Sequence, residues 1–128
     1  MVRSVVGVVA GLVVWVALAT VAGVILRNAW PAYASVADAM TFTLPMMIAR
    51  LSIGAVATLA AGWVATVITR RFRLSLLPGV VLLLGFIPQH IMLWEKFPVS
   101  YHLTFLCSLL PLTLLGGRMA ELPEGSRT

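Results

Sequence analysis

The sequence predicts an all-α membrane protein: an up-down bundle of four transmembrane helices with both termini in the cytoplasm. Three observations lead there. Of the 128 residues, 61% are hydrophobic and only 10% charged, whereas a soluble domain carries about 25% charged residues. Four apolar runs fill most of the chain, each close to the roughly 20 residues that cross a bilayer core. The basic residues stand at the ends of these runs. The net charge of +5 therefore reads as a topology signal and not as a nucleic-acid footprint.

The first span covers residues 4–26, with Arg3 before it and Arg27 after it. Ala17-Leu18-Ala19 would suit signal-peptide cleavage, but the apolar run continues to Leu26. That length suits a retained span. The second span covers residues 47–69, the third 74–94 and the fourth 98–117. None shows the period-two alternation of a barrel strand, so each is expected to be a helix. Residues 1–120 form a single domain in this reading, and the polar residues 121–128 form a flexible cytoplasmic tail.

The connections carry their own signals. Trp30, Pro31 and Tyr33 suit an interfacial anchor. Ser35-Val-Ala-Asp38 has the form of a capping box, which places a short external helix near residues 35–44. Pro45 is the natural place for a bend into the second span. Tight connections at residues 70–73 and 95–97 make the second and third spans antiparallel neighbours, and likewise the third and fourth. Arg3, Arg70, Arg71, Arg73, Arg118 and Arg127 fall on one side, with Glu121 and Glu124. Arg27, Arg50 and Lys96 fall on the other, with Asp38 and Glu95. The positive-inside rule puts the first group in the cytoplasm, with Arg70, Arg71 and Arg73 as its strongest determinants.

Two constellations are candidates for function. The first is a pair of small-residue ridges: Gly7, Gly11, Ala19 and Gly23 on the first span, and Gly54, Thr58, Gly62 and Thr66 on the second. Such faces let helix backbones approach. They either pack on each other inside the bundle or present a face to a second copy or a larger membrane partner. The second constellation is Arg50, Gln89, His90, Glu95, Tyr101 and His102, all near the outer ends of their spans. Arg50 could snorkel, clamp an anion or pair with Glu95. His90 lies about one helical turn inside Trp94, and His102 about one turn past Pro98. The two imidazoles are thus expected at similar depth on antiparallel helices. This set suits a quinone or a lipid headgroup. Support for haem or a metal is weaker, since two histidines lack a third ligand. The plain structural alternative is ordinary interfacial histidine and tyrosine.

Other residues narrow the field. Pro88 and Pro111 would free the carbonyls of Leu84 and Cys107, with Ser108 placed to satisfy the second, while Pro78 sits harmlessly in a first turn. Cys107, the single cysteine, is expected to be a buried inert thiol and excludes paired-thiol oxidants. No acidic residue lies within a span, which argues against proton-coupled exporters. The charge bias argues against dual-topology transporters and fluoride channels. No catalytic motif is present, so no enzyme activity, cofactor or metal site is expected.

Residues 94–105 (Trp-Glu-Lys-Phe-Pro-Val-Ser-Tyr-His-Leu-Thr-Phe) and 42–46 (Phe-Thr-Leu-Pro-Met) resemble small bacterial inner-membrane proteins with four spans. The resemblance implies a bacterial plasma-membrane location and carries over no activity or site residue. The leading functional expectation is a non-enzymatic accessory or assembly subunit that works by helix packing through Gly7, Gly11, Gly54 and Gly62. The alternatives are an outer-leaflet ligand site and a small oligomeric channel or carrier shaped by Pro88 and Pro111.

Overall fold

The computed structural model describes residues 2–125. Five α-helices follow one another: α1 (Val2–Ala29), α2 (Pro31–Ala37), α3 (Leu44–Thr69), α4 (Leu76–Met92) and α5 (Val99–Gly125). Short 3₁₀ turns at Phe72–Ser75 and Trp94–Lys96 join α3 to α4 and α4 to α5. Four helical segments are long and apolar enough to cross a membrane: Val2–Ala29, Leu44–Thr69, Phe72–Met92 and Val99–Glu121. Their outward faces carry exposed Val, Leu and Ile, as on Val5, Val9, Val13 and Val16 of α1. An all-α bundle with this surface is an integral membrane protein.

Small residues decide which helices meet. Gly7 and Gly11 of α1 rest on Thr69 and on the Ala65 and Ala61 carbonyls of α3. Ala57, Ala61 and Ala65 are fully buried beneath them. On the other side of α3, Gly62 abuts the Thr113 backbone of α5, and Gly116 of α5 abuts the Leu59 carbonyl. Along their length Gly54 meets Phe105, Gly62 meets Thr113 and Thr66 meets Gly117, so α3 and α5 run parallel. α1 runs antiparallel to α3, and α4 antiparallel to α5, with Gly79 against Thr113 and Phe86 against Phe105. The tight turn therefore does not make α3 and α4 close neighbours. α3 packs along α1 and α5, while α4 lies on α5 and touches α3 and α1 lightly. The start of α1, the arginine turn and the far end of α5 share one end of the bundle.

Several local expectations change. The short helix is 31–37 and not 35–44, because Pro31 opens it at the position where a missing N–H is harmless. Ser35 lies within that helix and donates to the Ala32 carbonyl at 2.8 Å. The cap sits at Thr43, whose N–H donates to Met46 Sδ at 3.5 Å. Pro45 starts α3 instead of bending it. Pro88 and Pro111 lie within continuous helices, and Ser108 donates to Phe105 rather than to Cys107. Cys107 is exposed on the outer face of α5. Of the expected tail, residues 121–125 continue α5, and residues 126–128 lie outside the described residues.

Candidate functional site

At the end of the bundle opposite the arginine turn, the helices part around a half-open cavity of about 160 Å³. Trp15, Ala19 and Gly23 line it from α1, Arg50 and Gly54 from α3, Phe86, Gln89 and His90 from α4, and Tyr101 and Phe105 from α5. Tyr33 of α2 and Phe97 close the end. A Cβ built on Gly23 would meet no atom within 4 Å. Gly23 is thus not a packing residue, and its place on the expected ridge is corrected: it keeps the α1 side of the cavity open. Gln89 is exposed at the rim.

Arg50 is the single charge in the wall. Its Nη1 donates to the Tyr33 hydroxyl at 2.8 Å and its Nε to the Tyr101 hydroxyl at 3.3 Å. The guanidinium carbon lies 4.7 Å from the centre of the Phe42 ring and 5.9 Å from that of Phe97, so ring faces supply part of the stabilisation that water would give. The Arg50–Glu95 pair does not form. Glu95 is exposed in the Trp94–Lys96 turn and does not line the cavity. Among the described residues, the ion pair present is Arg27–Asp38 at 3.5 Å.

Aromatic rings hold this arrangement. Tyr33 stacks on Phe42, Phe42 on Phe97, and Phe97 on Tyr101 at 4.3 Å and 12°. Together with Ala37 and Met46 they form a buried cluster that fastens α2 across the end of α3 and α5. Tyr33 is only 3% exposed, so it is a core residue and not an interfacial anchor.

His90 and His102 come together as their spacing predicts. Their Nδ1 atoms are 2.6 Å apart. His102 is fully buried, stacks on Trp94 at 4.7 Å, and its Nε2 lies 3.2 Å from the Trp94 carbonyl oxygen. The His90 ring stacks on Phe105 at 5.0 Å. Of the expected set, Arg50, Gln89, His90 and Tyr101 line the cavity, His102 stands behind His90, and Glu95 is outside. Among the described residues, no group of three or more His, Cys, Asp or Glu side chains forms a metal cage.

The glycines of both ridges are covered inside the protein, Gly23 excepted, but the two ridges do not pack on each other. Gly7 and Gly11 are covered by α3, Gly62 by Thr113 and Gly54 by Phe105. Thr58 accepts from Trp15 Nε1 at 3.0 Å and donates to the Gly54 carbonyl at 2.6 Å. Packing on α1 was one of the two arrangements open to the second ridge, a face for a partner the other. Gly54 and Gly62 instead face α5, and the alanine row 57, 61, 65 takes the α1 side. That row was legible as a four-residue repeat. Tyr33, Phe42 and Phe97 were also missed as site residues, because aromatics in membrane connections read first as surface anchors.

The chain matches no family model, no curated protein and no solved structure.

Proposed function

We propose that this protein binds the ring-shaped, oxygen-bearing head of a small membrane amphiphile in the outer-leaflet half of its bundle. The supporting observation is Arg50: a cation held by two tyrosine hydroxyls and two ring faces, with no carboxylate partner among the described residues, beside an apolar cavity. A partly buried charge without a counterion is costly, and polar groups converging on an apolar pocket mark binding sites. The cavity is smaller than the about 300–1,000 Å³ of a drug-sized pocket. It accepts one ring and leaves the rest of the molecule in lipid, past Gly23.

In this reading the leaflet follows from the positive-inside rule, with the arginine turn in the cytoplasm of a bacterial plasma membrane. Packing through Gly7, Gly11, Gly54 and Gly62 builds the site and leaves none of those four free for a partner. Organic extraction and mass spectrometry of protein purified from its native membrane test the proposal. A ring-headed amphiphile near one equivalent is expected. It is expected to be lost from Gly23→Leu, which fills the cavity where no atom stands in the way. No such compound, or equal amounts in both proteins, would count against it.

A further inference from the structure

We propose that the cavity selects a hydroxylated aromatic head, of the phenol or hydroquinone class, and discriminates against the corresponding quinone. This rests on the reading of the cavity as a ligand site and adds the chemistry that fits it.

The Trp94 carbonyl can only accept, so the His102 Nε2 facing it carries a hydrogen. A neutral imidazole has one N–H, which leaves His102 Nδ1 as a lone pair. His90 Nδ1, 2.6 Å away, must then donate. His90 Nε2 is left as the bare acceptor of a ring that lines the cavity and is stacked on Phe105. His102 is fully buried and lines no part of the cavity. It is therefore a positioning residue: it sets the tautomer of His90 without touching the occupant.

Gln89, with both a donor and an acceptor, stands at the exposed rim, and the less exposed Arg50, Tyr33 and Tyr101 supply donors. Tyr33 and Tyr101 accept from Arg50 through oxygen, so each keeps its own hydrogen to give, and Arg50 Nη2 keeps two more. Inside the rim the site thus offers several hydrogens to a ligand oxygen and, at His90, an imidazole lone pair to a ligand hydroxyl. A hydroquinone satisfies both. A quinone, or a phosphate diester headgroup, presents acceptors alone and would set an oxygen against the His90 lone pair. The size agrees, since an apolar cavity of about 150 Å³ holds a benzene ring. Trp15, Phe86 and Phe105 supply aromatic walls. One lone pair does not make a metal site.

Titration of the full-length protein in detergent with decylhydroquinone, and separately with decylbenzoquinone, tests this. The hydroquinone is expected to bind about tenfold or more tighter, the scale of one buried acceptor left unmatched. Nitrogen NMR of labelled histidines is expected to show His90 protonated at Nδ1 in the free protein, with its Nε2 signal moving when hydroquinone is added. In His102→Phe the preference is expected to fall toward unity while the hydroquinone still binds; if that variant does not fold, the wild-type spectrum decides. Equal affinity, tighter quinone binding, or a His90 hydrogen on Nε2 would overturn the selectivity and leave the binding site standing. Failure of both compounds to bind would overturn the site itself, and the selectivity with it.

Discussion

Gly62 of α3 lies so close to the Thr113 backbone of α5 that a Cβ at Gly62 would overlap the Thr113 carbonyl. Neither carbonyl nor helix can give way without moving α3 relative to α5. Gly62→Ala is therefore expected to destabilise by about 1–3 kcal/mol or more, as overpacking does. Gly85→Ala, where a Cβ meets nothing within 4 Å, is expected to be neutral or stabilising by up to about 1 kcal/mol through helix propensity. Thermal unfolding in detergent compares the two, and equal effects would contradict the packing described.

Two threonines on the same helix make opposite predictions. Thr58 accepts the indole N–H of Trp15, so Thr58→Val leaves a buried donor unmatched and is expected to cost about 1–3 kcal/mol. Thr66 Oγ1 is buried with no hydrogen-bond partner among the described residues. Thr66→Val is expected to be neutral or stabilising, because it removes an unsatisfied group at nearly constant shape. Melting temperatures measured side by side check the pair.

Arg50 separates charge from geometry. Arg50→Lys keeps the charge but loses the planar fork that reaches Tyr33 and Tyr101 together. It is expected to fold and to bind a hydroquinone probe about tenfold more weakly, on the scale of one charged hydrogen bond. Arg50→Leu is expected to abolish measurable binding while the bundle still folds, since the aromatic cluster remains. Probe titration with a parallel thermal melt checks both. Unchanged affinity in Arg50→Leu would remove Arg50 from the site.

The arginine turn predicts topology. Reporter fusions after Arg73 are expected to report the cytoplasm, and fusions near Glu95 the opposite side. Replacing Arg70, Arg71 and Arg73 together by Ser is expected to produce mixed orientation.

The four spans were legible because lipid tolerates little besides long apolar helices, and 61% hydrophobic composition leaves few other solutions. The meeting of His90 and His102 followed from depth alone, since each is about one turn from its connection. The order of the helices did not follow from turn length. The short turn after Arg70 constrains where α4 begins, but the backbone approach of Gly62 and Gly116 gives α5, not α4, the place beside α3. A helical wheel marks Gly62 as small without saying which neighbour fills the space. The Arg50 site was half legible for a similar reason. Its charge stood out, while Tyr33, Phe42 and Phe97 come from connections whose fold depends on tertiary stacking.

A density map of the protein, purified from its native membrane into nanodiscs and resolved at the cavity, is the sharpest test of ligand binding there. Ring-shaped density is expected between Arg50 and His90, in contact with the Tyr33 hydroxyl and continuing past Gly23 into lipid. A cavity filled by a neighbouring side chain, or holding water or an acyl chain alone, would contradict it.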